Sequence, residues 1–365
     1  MKTLAAVSRE GAPAPVLETL DLEDPRQGEV LIRIVATGVC HTDVRVHAGM
    51  GPGTPRPIVL GHEGAGIVEK LGAGVTSLAI GDHAVLSGAS CGECPSCRRN
   101  SPIHCVQMMP RNFGGLRMDG SSALSQNGAR IHAQFFGQSS FSQFALANER
   151  SAVKVPKDIP LEILGPLGCG VITGTGAVIN SLKVGPGDSI AVLGVGGVGL
   201  SAVMAARIVG ASRIVAIDVL PARLSLAREL GATDTIDSSS ADVTKALREL
   251  VPGGVNFTLN TTSIPDIFTQ ALDCLATQGT AGFVTSPRGE WKPQMFPILA
   301  GAKKLQGIVG GDANPQFFIP LLIEYYRQGR LPFDRLIRFY RFDEIATAFQ
   351  DMQRGDTIKP VLKMT

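Results

Sequence analysis

The sequence predicts a two-part α/β protein: a β-rich part, then a doubly wound parallel sheet with helices on both faces. Three observations carry that expectation. The first third alternates short β-rich runs with Gly and Pro breaks, whereas from Gly185 apolar strands and amphipathic helices alternate regularly. The third is length, since 365 residues suit two domains better than one. A chain this long buries enough surface to fold without disulfides.

Residues 30–36, 66–71 and 83–86 read as strands of an irregular, largely antiparallel domain. In the second part, strands are expected at 189–193, 213–218, 234–237, 255–260, 280–285 and 304–309. Helical patterns fill most gaps, at 198–209, 222–230, 241–250 and 265–275. Such alternation implies parallel strands covered on both faces. After Gly310 and Gly311 a helix at 315–328 leads to a strand and helix that rejoin the first domain. The expected division is therefore 1–168 with 311–365 as one domain and 169–310 as the other.

Charge and hydropathy exclude several classes. A net charge of +2 over the whole chain leaves no basic stripe for nucleic acid. The longest apolar runs are broken by Gly or Arg well short of a membrane span, and the apolar stretch at the start is too short for a signal peptide. A soluble cytoplasmic enzyme acting on a small molecule is expected.

The turn Gly194-Val195-Gly196-Gly197-Val198-Gly199 follows one expected strand and opens a helix, and Asp218 closes the next strand. The glycines let backbone N–H groups approach a pyrophosphate at the helix N-terminus, and the acid can accept from ribose hydroxyls. Strand, helix, spacing and acid together indicate dinucleotide binding.

Of seven cysteines, Cys91, Cys94, Cys97 and Cys105 lie within 15 residues. That spacing lets four thiolates converge on one Zn²⁺ with no open position, which makes a structural site. Cys40, His62 and Cys169 could supply a second site, with two thiolates and an imidazole leaving one tetrahedral position open. Taken singly, each has a blander reading as a buried small hydrophobe or a satisfied polar group. Spacing alone does not join them. Cys274 falls in an apolar helical run and reads as buried and inert.

Gly61-His62-Glu63-x-x-Gly66-x5-Gly72-x-x-Val75 resembles the zinc signature of the medium-chain, zinc-dependent alcohol dehydrogenases. The segment Cys40-His41-Thr42-Asp43, the four-cysteine lobe, Cys169 and the Gly-rich turn fall in that family's order, and the aryl-alcohol (benzyl-alcohol) branch is the most similar. The resemblance implies a GroES-like catalytic domain, a Rossmann domain, NAD, and two zincs per chain. It implies that Cys40, His62 and Cys169 bind the catalytic zinc, with Glu63 behind it, Asp43 orienting His62, and Thr42 starting the proton path. By the same resemblance His41 and Lys359 reach the cofactor pyrophosphate, Thr173 the nicotinamide, and Arg223 the adenosine ribose. Phe135 and Phe136 would lie against the substrate cleft, one as pocket wall and at least one as core. The implied reaction is hydride transfer from a primary aromatic or allylic alcohol to NAD.

One departure concerns position 45, where many members carry a relay histidine and this chain has Arg45. Proton release would then use water or His47. A homodimer is favoured over a homotetramer. Two other readings stand beside this one. A glutathione-dependent formaldehyde dehydrogenase needs charged pocket residues that 48–55 do not offer, and a non-catalytic zinc- and nucleotide-binding relative has no use for an open zinc position.

Overall fold

A computed structural model describes residues 1–364. The chain divides into two units: Met1–Cys169, Asn314–Ile323 and Asp334 onward form one, Gly170–Ala313 and Glu324–Phe333 the other. The return to the first unit thus falls at Asn314 rather than at residue 311. The last turn of the helix Pro315–Arg327 and the segment after it go with the second unit. Arg330 explains this, lying 5.2 Å above the Tyr325 ring and donating to the Ile208 carbonyl at 2.9 Å.

The first unit holds two sheets. One takes Ile58–Val59, Lys2–Ser8, Val16–Leu22, Leu124–Gln126 and Ala129–Ile131 in that order. Its N-terminal strands were not legible in sequence, because Ala and Ser give Lys2–Ser8 little intrinsic β preference. Burial decides instead: Ala5, Ala6 and Val7 are wholly enclosed. The other sheet is organised on Glu29–Gly38, whose register pairs Thr37 with Gly64 and Gly38 with Val361. The strands Gly64–Leu71 and Lys359–Lys363 therefore begin beside the start of the helix His41–His47. Phe144–Asn148 also pairs with this strand. Leu20, Leu60, Phe135 and Phe141 are among the fully buried side chains of the core between these elements.

The second unit is a six-stranded parallel sheet, in the order Asp234–Asp237, Arg213–Asp218, Ser189–Leu193, Val255–Asn260, Leu275–Phe283, Lys304–Gly307. This is the doubly wound order in which the chain reverses direction across the sheet from its first strand. Four strands have the bounds read from sequence. The fifth starts earlier than expected because Leu275 already pairs with Val255, across a register shift and a left-handed Gln278. The sixth stops at Gly307, just before the left-handed Gly310 and Gly311 turn the chain. Ser189–Leu193 is buried along its whole length, which explains its unbroken apolar run. Among the described residues, no helix is long and apolar enough to cross a membrane.

Candidate active site

Cys40 precedes the helix His41–His47 in extended conformation, and its backbone N–H donates to Asp43 Oδ2 at 2.9 Å. Asp43 Oδ1 accepts from the Gly61 N–H at 3.0 Å and from His62 Nδ1 at 3.0 Å. Asp43 thus ties a helix start to a strand start, and it is fully buried. With Nδ1 donating, His62 Nε2 presents a lone pair, and that atom is buried with no hydrogen-bond partner. The donor atoms of Cys40, His62, Glu63 and Cys169 all lie within 4.8 Å of one another. An orphaned imidazole nitrogen facing two thiols is the chemistry of a zinc site, so the residues fit the metal.

Electrostatics within the cluster follow from its burial. Hydrogen bonding from Cys169 holds the Cys40 thiol well below its usual range, against the effect of burial, and leaves Cys169 well above it. Burial disfavours a charged His62, but Asp43 and Cys40 outweigh it and raise its pKa. Burial pushes the Glu63 carboxyl up to about 7 despite the opposing charge of Lys359.

Glu63 has room here because position 38 is glycine, where a Cβ would sit 2.0 Å from Glu63 Oε2. Its two oxygens each accept from Lys359 Nζ at 2.9 Å, and that ammonium also donates to the Val39 carbonyl at 3.3 Å. The buried amine of Lys359, expected at the cofactor pyrophosphate, lies among the metal donors of the first unit and pairs with Glu63.

Thr42 Oγ1 lies 3.8 Å from Cys40 Sγ, while His41 is exposed. The His47 ring is buried, bonded to Ser8 Oγ at 2.8 Å and to the Ala12 carbonyl at 3.0 Å, and set edge-on to Phe349. Burial lowers its pKa, and both ring nitrogens are hydrogen-bonded within the protein.

Phe135 and Phe136 form a tight turn rather than a strand. Phe135 is wholly buried, whereas the half-buried Phe136 stacks on His62 with ring centroids 4.4 Å apart and planes 24° apart. Phe113 closes on Phe136 edge-on at 5.0 Å. The pair therefore splits into one core ring and one ring at the site. Sequence reasoning missed Phe113 and also Gln138, whose amide accepts from the Gly64 N–H and donates to the His62 carbonyl, both at 3.1 Å. The only signal was a polar run, 138–140, one glycine after two aromatic residues.

The sulfurs of Cys91, Cys94, Cys97 and Cys105 also lie within 4.8 Å of one another, all free of disulfides. Backbone N–H groups of Cys94 and Gln107 point at Cys91 Sγ and Cys105 Sγ at 3.3 and 3.4 Å. Backbone donors from Cys97 and Val106 bring the Cys94 thiol down to about 6. Donors aimed at sulfur suit thiolates, and four thiolates with no open position suit a structural zinc. Cys274 is the residue that ends the helix Pro265–Asp273; it is fully buried, and burial lifts its thiol to about 11.

In the second unit Gly194 is left-handed and the helix Gly197–Ile208 starts at Gly196 with no side-chain cap, so its first N–H groups face outward. A Cβ at Gly199 would meet the Gly194 carbonyl at 2.0 Å, so only glycine lets the helix seat on the turn. Val198 lies in the first turn of that helix. Asp218 accepts from the N–H groups of Val195, Val219 and Leu220 at 2.8, 2.8 and 3.0 Å. Arg223 Nη1 is 3.9 Å from Asp218 Oδ2, and its Nε is buried without a partner. Thr173 is half-buried on the helix Gly170–Gly176, which packs so closely on Gly197–Ile208 that a Cβ at Gly174 would meet the Val198 carbonyl at 2.1 Å. An uncapped helix start beside an acid and a cation fits a dinucleotide.

Residues 26–157 match the family model of the alcohol dehydrogenase GroES-like domain, and residues 197–324 that of the zinc-binding dehydrogenases. Geraniol dehydrogenase of Castellaniella defragrans is 46% identical over 98% of this chain and 96% of its own. An S-(hydroxymethyl)glutathione dehydrogenase of Synechocystis is 36% identical over 99% of this chain and 100% of its own. The crystal structure of benzyl alcohol dehydrogenase from Acinetobacter calcoaceticus superposes with a TM-score of 0.97 at 44% identity, covering 100% of both chains.

Metal analysis of the purified protein should return two zincs per chain. Cys169→Ser should lose one zinc and abolish activity while leaving the fold largely intact. Cys97→Ser should instead lower the Tm, because three thiolates and a hydroxyl leave the lobe unbalanced. One zinc or none in active, unchelated protein contradicts the two-site assignment.

Proposed function

Because this chain belongs to the zinc-dependent alcohol dehydrogenases, we propose that it oxidises primary aromatic or allylic alcohols to aldehydes with NAD as hydride acceptor. The observation that carries this reading is the donor set of Cys40, His62 and Cys169, bordered by the Thr42 hydroxyl and the Phe136 ring. Held by those donors, zinc supplies a Lewis acid that lowers the pKa of an alcohol, and the dinucleotide supplies the oxidant.

The protein's own residues do the rest. Asp43 fixes the His62 tautomer so that Nε2 is free to ligate. Thr42 accepts the alcohol proton on its hydroxyl and passes its own onward. With Arg45 never deprotonated and the His47 ring enclosed, water carries that proton to solvent. Phe136 and Phe113 offer apolar surface to a ring or an allylic chain at about 25 cal/mol per Å² buried, surface that ethanol lacks. The names of the geraniol and benzyl alcohol dehydrogenases support the same substrate class. The uncapped helix start, Asp218, Arg223 and the glycines Gly194, Gly196, Gly197 and Gly199 are assigned to the dinucleotide. The first unit is assigned the catalytic role and a homodimer in the cytoplasm the working form, a reducing compartment being needed to keep the ligand thiols reduced.

Three outcomes are expected. In a kcat/KM panel with NAD⁺, benzyl alcohol, cinnamyl alcohol and geraniol should exceed ethanol and hydroxymethylglutathione. A lead for hydroxymethylglutathione would move the chain to the glutathione-dependent branch, and equality of ethanol with benzyl alcohol would remove the apolar-pocket reading.

NAD⁺ should outperform NADP⁺, because a 2′-phosphate meets Asp218 at a cost of about 2–5 kcal/mol. Asp218→Gly should narrow that gap by leaving the Arg223 guanidinium to pair with the phosphate. Equal kcat/KM for the two cofactors in the unaltered enzyme would refute the assignment.

Thr42→Ala should lower kcat/KM by about two to four decades, the scale of proton-transfer assistance, and Thr42→Ser should keep most of it. An unimpaired Thr42→Ala enzyme removes Thr42 from the proton path.

A further inference from the structure

The glycine-rich turn is gripped from two sides. Gly194 and Val195 share one peptide plane, and both of its polar ends are engaged. The N–H donates to Asp218 Oδ2 at 2.8 Å, and the carbonyl accepts from the Thr261 hydroxyl at 2.7 Å. Half-buried Thr261 follows the strand Val255–Asn260, which lies on the opposite side of Ser189–Leu193 from the strand that ends in Asp218. Its own N–H donates to the Leu193 carbonyl at 2.9 Å. Beside it, Asn260 Oδ1 accepts from the Thr262 N–H and hydroxyl at 2.8 and 2.9 Å, so the Thr261 hydroxyl is offered from a fixed base. Gly194 is fitted to this grip, since a Cβ there would meet Thr262 Cγ2 at 2.6 Å and Thr261 Oγ1 at 2.7 Å. The carbonyl that Thr261 holds is also the seat of the next helix, because a Cβ at Gly199 would meet it at 2.0 Å.

A peptide turned over at this point would put its carbonyl where its N–H now stands and remove that seat. Glycine at 194 makes such a rotation cheap. Asp218 opposes it from one end, and that carboxylate is also assigned to the dinucleotide. Thr261 opposes it from the other. We propose that Thr261 is a positioning residue for the dinucleotide: by holding the Gly194 carbonyl it fixes the Gly194–Val195 peptide and the helix start behind it, and so presets the turn's N–H groups for the pyrophosphate. The proposal rests on the dinucleotide reading above. It predicts a selective loss. Asp218 keeps the N–H bonds of Val219 and Leu220 without Thr261, so recognition of the adenosine end should survive when the hold on the turn is removed.

The test is ligand binding to the purified, zinc-loaded enzyme: NADH by fluorescence titration, ADP-ribose and adenosine by competition with NADH. Thr261→Ala should weaken NADH and ADP-ribose by about three- to tenfold, what one neutral hydrogen bond contributes, and leave adenosine within about twofold of the parent. Thr261→Ser, which keeps the hydroxyl, should bind all three as the parent does. Thr261→Val, whose methyl group crowds the carbonyl that the hydroxyl held, should lose at least as much as Thr261→Ala. Amide hydrogen exchange gives a second readout without any ligand. In Thr261→Ala it should rise at 194–199 and stay at the parent rate in the strands Ser189–Leu193 and Val255–Asn260.

Unchanged ADP-ribose binding in Thr261→Ala overturns the proposal, and so does an equal loss for adenosine, which would mean a general disturbance of the sheet. Should Thr261→Ala fail to fold, Thr261→Ser against Thr261→Val still decides, because equal ADP-ribose affinity in those two variants overturns the proposal as well. A parent protein that binds neither NADH nor ADP-ribose would instead refute the dinucleotide reading, which separates the two failures.

Discussion

The site depends on one buried carboxylate. Asp43 is sealed from solvent and accepts three N–H bonds, from Cys40, Gly61 and His62. An unpaired carboxylate in that position would cost several kcal/mol, so these bonds must form together or not at all. The helix carrying Asp43 has only seven residues, too few to persist alone in water. Docking through Asp43 therefore fixes the helix, the preceding Cys40 and the ring of His62 in one step. The same bond selects the tautomer, since a proton on Nδ1 leaves Nε2 as the only lone pair.

The second constraint is backbone geometry around that carboxylate. Gly38 leaves the space that Glu63 fills, and left-handed Gly61 lies against the Phe141 backbone, where a Cβ would come within 2.4 Å of its nitrogen. Gln134, Phe136 and Ser139 are all left-handed although none is glycine, a conformation that costs on the order of 1 kcal/mol or more each. Ser139 holds this turn by donating to the Val59 carbonyl at 2.6 Å and accepting from the Phe135 N–H at 3.0 Å. The strain is offset there, and the result is a Phe136 ring held flat on His62. An aromatic wall beside the metal donors is thus a property of the backbone, and a simple alternation rule could not have given it.

Legibility in the sequence followed range. The parallel sheet was readable strand by strand because buried parallel strands are continuous apolar runs, and four of six had the bounds the pattern suggested. The cysteine lobe was readable because all its donors lie in one short segment. Cys40, His62 and Cys169 were joined only through family resemblance, since the contacts that unite them run through Asp43 and through sheet register. The ion pair of Lys359 with Glu63 was hidden for the same reason: its strand pairs with Glu29–Gly38, and nothing local announces that pairing. The fate of His47 was equally hidden, because its partners are Ser8 and the Ala12 carbonyl.

The contrast between the two metal sites has a physical cause. A structural site gains by closing, so four thiolates on one flexible loop can collapse onto the ion until its coordination is complete. A site that must keep a vacancy cannot be built this way, because a loop able to gather three donors could gather a fourth. Its donors have to come from elements that are already rigid for other reasons. Here Cys40 comes from a helix start pinned by Asp43, His62 from the head of a strand clamped by Gln138, and Cys169 from the end of a glycine-rich turn packed so closely that a Cβ at Gly168 would meet the Leu86 carbonyl at 2.1 Å. Here the rigid elements that supply the ligands are far apart in sequence, which is why the site is hard to read from sequence.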